Sequence, residues 1–221
     1  MKKNLTELVF IVDRSGSMGG LESDTIGGLN ATLAKNREVD GECLVSIVLF
    51  DNASDVIVDR RDIREVPNLT TRQYQVRGCT ALLDAVGDSI HYIDKVQHIL
   101  PEDHRAEHII FAIITDGFEN ASRRRSYPEV KHMIEAKQEQ GWEFIFLGAN
   151  IDAAAEAGRM GIRPDHASQY VCDDTGSALA YEAMACAQVS RRTTGAVDTN
   201  WNAAPKADAA KRGGVKRFKL W

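Results

Sequence analysis

The segment Glu107-His108-Ile109-Ile110-Phe111-Ala112-Ile113-Ile114-Thr115 constrains the fold more than any other part of the chain. Its apolar residues do not alternate with polar ones. A strand built from it must be covered on both faces, as happens in mainly parallel sheets flanked by helices. Leu5 to Val12 has the same character, and each run stops at an aspartate, Asp13 after the first and Asp116 after Thr115. Leu44 to Phe50, Val56 to Asp59, Trp142 to Leu147 and Ser168 to Cys172 read as four further strands. Only the polar stretch Asp51-Asn52-Ala53-Ser54-Asp55 separates the second strand from the third, too short for a crossover helix, so these two form an antiparallel hairpin.

Helical spacing fills the intervals. Leu21, Ile26, Leu29 and Leu33 mark a helix ending near Arg37, interrupted by Gly27 and Gly28. Each glycine costs roughly 1 kcal/mol against alanine, and the pair is read as a surface for close packing. Leu82, Leu83, Val86, Ile90, Ile93, Val96 and Leu100 line one face of a long helix. Ser126-Tyr127-Pro128-Glu129 has the spacing of a capping box ahead of a helix that stops near Gly141. Asn150 is expected to cap a short helix running to Met160, and Leu179, Ala183, Cys186 and Val189 lie on a last one. The expected fold is α/β, with a doubly wound, mostly parallel six-stranded sheet, one antiparallel edge strand and helices on both faces. Its strand order reverses between the strands that end at Asp13 and Asp116. Ligands of such sheets bind beyond the strand ends at that reversal.

The chain has 221 residues, 43% of them hydrophobic and 27% charged, enough for one domain and an appendage. No apolar run approaches the roughly 18 residues of a membrane span. Met1-Lys2-Lys3 leads into an apolar run that ends at Asp13 with no small-residue cleavage site, so it reads as a strand and not a signal peptide. Cys43, Cys79, Cys172 and Cys186 are too scattered for a zinc site or a disulfide scaffold, and reduced thiols in a cytoplasmic protein are expected. Of the net charge of -5, residues 195–221 contribute six Lys and Arg against two Asp, or +4, which leaves -9 for residues 1–194. The domain is therefore placed at 1–194, with a basic, flexible tail at 195–221. Nucleic-acid contact is expected only through that tail, whose end from Arg212 to Trp221 mixes basic and aromatic residues.

Asp13-Arg14-Ser15-Gly16-Ser17 places a carboxylate and two hydroxyls at alternate positions of a tight turn, so that three oxygens can converge. Asp116 adds a second carboxylate from the neighbouring strand end. Thr80, in Arg77-Gly78-Cys79-Thr80-Ala81 just before the long helix, adds a third hydroxyl. An all-oxygen set with one or two carboxylates suits Mg2+.

Asp13-x-Ser15-x-Ser17 after an apolar strand, Gly78-Cys79-Thr80 before a helix and Thr115-Asp116-Gly117 after a second apolar strand resemble the metal-ion-dependent adhesion site of the von Willebrand factor A domain family. The resemblance covers about residues 5 to 172 and includes cytosolic bacterial members. It implies a Mg2+ site, with Mn2+ as the alternative ion. Ser15, Ser17 and Thr80 would be direct ligands, and Asp13 and Asp116 direct or water-mediated. It also implies that an acidic residue of a partner protein completes the coordination, so the expected function is metal-dependent protein binding without catalysis. Arg14, Met18, Arg77, Phe118, Glu119, Asn120, Arg123 and Asn150 are expected to form the surface that selects the partner. The run Arg123-Arg124-Arg125 would raise the local positive potential.

The aspartates after two strands also resemble haloacid-dehalogenase-like phosphatases. That match breaks at Ser15, where the family places a second aspartate as general acid. Asp173-Asp174 could imitate its late acidic motif but more simply caps a helix. His104 and His108 have the spacing of some zinc helices, yet His108 opens a buried strand; both, like His91 and His98, are read as surface histidines. Cys79, beside Thr80, is read as a small buried thiol in preference to a redox gate.

Overall fold

The computed structural model describes residues 1–212; the basic and aromatic segment that follows Arg212 lies outside the described residues. The strands are β1 (Lys2–Asp13), β2 (Glu42–Phe50), β3 (Ser54–Asp62), β4 (Ala106–Thr115), β5 (Glu143–Ala149) and β6 (Ala167–Tyr170). The helices are α1 (Glu22–Arg37), α2 (Leu82–Ile99), α3 (Tyr127–Glu139), α4 (Ala153–Arg159), α5 (Asp174–Thr194) and α6 (Ala203–Lys211). Sheet order is β3-β2-β1-β4-β5-β6, every pairing parallel except β2 with β3. This is the expected doubly wound sheet, and its order reverses between β1 and β4. The ends of those two strands carry Asp13 and the Thr115-Asp116 pair.

β4 shows why its sequence does not alternate. Ile110, Ala112 and Ile114 enter a core with Leu29 and Leu33 of α1 and Ala180 and Met184 of α5. Ile109, Phe111 and Ile113 enter a second core with Val86 and Ile90 of α2 and Val130 and Ile134 of α3. Phe111 stacks between Trp142 and Phe144 at centroid distances of 5.6 and 5.0 Å. On α1, a side chain at Gly28 would bring its Cβ to 2.3 Å from the Tyr181 ring, so this glycine lets α1 and α5 approach. The capping box of Ser126 and Glu129 opens α3 as its spacing indicated.

At the amino-terminal end of the sheet, Glu7 of β1 is fully buried. Arg60 Nε donates to both carboxylate oxygens at 3.0 Å, and Gln97 Nε2 donates to Oε2 at 3.2 Å. Burial outweighs Arg60 and pushes the Glu7 carboxyl up to about 7. Arg60 reaches Glu7 from a left-handed backbone position (φ 44°), beside the irregular register of the β2–β3 hairpin.

Two expectations need correction. Asn150 does not cap α4; it has φ 55°, and Asp152 takes that role by accepting a bond from Ala155 N at 3.0 Å. Nor does the chain leave the domain at Gly195. Trp201 Nε1 donates to the Asp165 carbonyl at 2.9 Å, and Asn202 Nδ2 to the Asp165 and Ala167 carbonyls at 3.1 and 2.9 Å. α6 then packs against β6 and α5, and Arg212 pairs with Asp173. An alanine-rich helix has little hydrophobic period to read, and its two anchors precede it. No helix among the described residues is long and apolar enough to cross a membrane.

Candidate metal centre

Three loops meet where the strand order reverses. Beyond Asp13 the chain makes one tight turn over Gly16–Met18, fastened to the loop before α2 by Gly16 N to Gly78 O (3.0 Å) and Arg77 N to Arg14 O (2.8 Å). Thr80 Oγ1 donates to Ser15 Oγ at 2.9 Å, Ser15 Oγ lies 3.0 Å from Ser17 Oγ, and Ser17 Oγ donates to Asp116 Oδ1 at 2.6 Å. Asp13 accepts from Ser15 N (2.7 Å) and from Thr115 Oγ1 (2.6 Å). All five expected donors are thus brought together. A side chain at Gly117 would put Cβ 3.0 Å from Ser17 Oγ, so any larger residue there would press on the cluster.

Charge distinguishes this cluster from the other buried carboxylates among the described residues. Six acidic side chains are buried among the described residues: Glu7, Asp13, Asp51, Asp84, Asp116 and Glu156. Glu7 pairs with Arg60, Asp51 with Arg14, Asp84 with Arg124 and Glu156 with Arg159. Asp13 and Asp116 have no cationic partner among the described residues. Burial raises both carboxyls, Asp116 to about 6, with the Asp13 charge adding to the shift. Two buried carboxylates without a cation are costly unless a positive charge joins them. With three hydroxyls alongside, the donor set is all oxygen and fits a hard divalent cation. No group of three or more His, Cys, Asp or Glu able to hold a metal occurs among the described residues, so the hydroxyls are essential to such a site.

The expected partner surface is smaller than its sequence suggested. Arg14 is 5% exposed, because Asp51 and Asp55 draw its guanidinium beneath the rim. Met18 is fully buried, turned into the core by the tight turn. The Glu119 carboxylate also faces inward, accepting from the backbone N–H groups of Leu83, Ala121 and Ser122. Arg77 is exposed yet bound to Asp51 and Asp55. Arg124 and Arg125 pair with Asp88, and Asp84 accepts from the N–H groups of Arg123, Arg124 and Arg125, so most of the positive run is neutralised. Phe118, 56% exposed, together with Asn120 and Arg123, remains on the surface; Asn120 Oδ1 also takes Thr80 N at 2.9 Å. Asn150 is half-buried in the loop after β5.

The residues missed at this site are Thr115, Tyr74 and Asp51. Thr115 orients Asp13, and Tyr74 OH donates to the Asp13 carbonyl at 2.5 Å. Thr115 could have been found from its place in Thr115-Asp116-Gly117; nothing near Tyr74 in sequence marks it. Cys79 is exposed, contrary to expectation. Asp173 caps α5 by accepting from Gly176 N at 2.8 Å, the helix-cap role expected for it. His104 is exposed and bonded to Asp103, while His108 is half-buried on β4.

No protein-family model matches the chain, and no curated protein matches its sequence. Solved structures do match its fold. The von Willebrand factor domain of the type V pili tip protein Mfa5 from Porphyromonas gingivalis aligns over 98% of each chain, with TM-score 0.59 and 10% identity. Manganese-loaded TRAP protein from Plasmodium vivax aligns over 80% of this chain and 72% of its own, with TM-score 0.55 and 16% identity. Proximal thread matrix protein 1 from the mussel byssus, with a zinc-occupied MIDAS motif, aligns over 84% of this chain with TM-score 0.56 and 12% identity. The chain spans 46% of the mussel protein's length. The fold is that of a von Willebrand A-type domain.

Proposed function

We propose that this von Willebrand A-type fold is a metal-dependent protein-binding module, in which Asp13, Ser15, Ser17, Thr80 and Asp116 hold one Mg2+, or Mn2+ in its place. The observation that carries this reading is the pair of buried carboxylates without a cationic partner among the described residues, set among three hydroxyls. The metal-loaded states of the Plasmodium and mussel proteins support it. When bound, the cation supplies a positive centre for an acidic residue of a partner protein. Neutral hydroxyls leave that charge less quenched than a carboxylate cage would. Thr115 and the Ser15 N–H hold Asp13, and Ser17 holds Asp116, so the chain's own bonds preset the donors. Phe118, Asn120 and Arg123 meet the partner around the centre. Catalysis is no part of this reading: Ser15, in the position of a dehalogenase general acid, cannot protonate a leaving group efficiently. A cytoplasmic location fits the exposed free thiols Cys79 and Cys186.

The test is calorimetric titration of Mg2+ and Mn2+ into wild type, Asp13→Ala and Ser15→Ala, followed by capture of partners from native lysate with and without chelator. Saturable uptake by wild type alone, with chelator-sensitive capture, is expected. Equal uptake by all three proteins would remove the site.

A further inference from the structure

We infer that the β2–β3 turn, which contributes no donor, sets the spacing of the metal donors, and that Asp51 is its positioning residue. The inference rests on the metal-site reading above. Asp51 is 4% exposed and stands between the two loops that carry Ser15 and Thr80. Its Oδ2 accepts from Arg14 Nε at 2.9 Å and from Arg77 Nε at 2.8 Å, and its Oδ1 accepts from Ala53 N at 3.0 Å. Its carbonyl accepts from Ala81 N at 2.9 Å. The flanking residues repeat the pattern: the Phe50 carbonyl takes Arg14 N at 2.8 Å, and Asn52 Oδ1 takes Cys79 N at 3.0 Å. Asp55 pairs with both Arg14 and Arg77.

These bonds fall next to the donors in sequence. Arg14 precedes Ser15, and Cys79 and Ala81 bracket Thr80, so one turn fixes the chain on either side of the Thr80–Ser15 contact of 2.9 Å. The fit is close: a side chain at Gly78, where φ is +71°, would bring Cβ to 2.2 Å from Asn52 Oδ1. A planar guanidinium held by carboxylates is a stiff spacer, which a flexible ammonium would not be. Mg2+ requires near-octahedral oxygens at about 2.1 Å, so an error of a few tenths of an ångström between Ser15 and Thr80 registers as lost affinity. Burial opposes the charge of Asp51, but Arg77, the Ala53 N–H and Arg14 outweigh it and hold the carboxyl below its ordinary range.

The experiment compares Mg2+ affinity by calorimetry with thermal melting in chelator for wild type, Asp51→Asn, Asn52→Ala, Ser15→Ala and Leu33→Ala. Leu33 is a fully buried core residue of α1, and its truncation destabilises without touching the loops. Asp51→Asn should weaken Mg2+ binding about tenfold or more, the usual effect of losing a residue that orients ligands. Asn52→Ala, at an exposed position, should melt like wild type and still bind more weakly. Leu33→Ala should melt earlier and keep wild-type affinity. Wild-type affinity in both Asp51→Asn and Asn52→Ala would overturn the inference, as would an equal loss in Leu33→Ala. If Asp51→Asn fails to fold, Asn52→Ala decides. Identical titrations of wild type and Ser15→Ala would instead remove the metal site, and the positioning role with it.

Discussion

The two ends of the sheet bury carboxylates in opposite ways. At the amino-terminal end Glu7 is enclosed with its own cation, Arg60, and an amide donor, Gln97. At the carboxyl-terminal end Asp13 and Asp116 are enclosed with hydroxyls and with each other. Both ends raise the carboxyl pKa, so perturbation alone does not separate them. What separates them is whether a cationic side chain among the described residues lies against the carboxylate. Arg60 lies against Glu7 within the chain, whereas Asp13 and Asp116 have no cationic partner among the described residues.

The contrast can be broken most directly with Mg2+. At a free concentration of 100 times Kd, a ligand that binds only the folded state stabilises by about 2.7 kcal/mol. Wild type and Glu7→Gln should gain this increment in thermal melts, and Asp13→Ala should gain none; an increment retained in Asp13→Ala would erase the distinction. The next effect is a pH dependence at the other end. The folded state holds a proton on Glu7 up to about pH 7, against 4.5 for the ordinary side chain, so it binds more protons than the unfolded chain between those values. Stability from this group is therefore full below pH 4.5 and falls as pH rises through 7, by a margin of order 3 kcal/mol. Glu7→Gln should flatten that decline, as followed by denaturant melts at successive pH values. A smaller change, of order 1 kcal/mol, is expected for Asp116→Asn in chelator at pH 7.5, and its sign is stabilising because a buried carboxylate without a cation is neutralised. Destabilisation there would show that the cluster is balanced internally after all. Smallest is Phe118→Ala, which should leave melting within about 0.5 kcal/mol and Mg2+ affinity unchanged while weakening partner capture.

That Asp13, Ser15, Ser17, Thr80 and Asp116 would come together was readable in the sequence because each belongs to a landmark: Asp13 and Asp116 end apolar strands, Ser15 and Ser17 alternate in a turn, and Thr80 precedes a strongly periodic helix. Side-chain direction in the turn was not readable. Arg14 and Met18 adjoin donors in sequence but point beneath the rim, because a tight turn has no period that assigns faces. Asp51 was visible only as a turn residue, since its role depends on Arg14 and Arg77, 37 and 26 positions away. β3 proved longer than its apolar run, extending through Arg60, Arg61 and Asp62, because an edge strand can carry charge where a central one cannot.

The segment beyond Gly195 has a consequence for association between molecules. An open sheet ends in two strands whose free backbone groups can template pairing with another chain. β3 guards its side with register irregularities and charged side chains. β6 is short and carries no charge of its own, and there Asn202 caps the Ala167 carbonyl while α6 lies alongside. What composition presented as an appendage thus shields the sheet from growing edge to edge into aggregates.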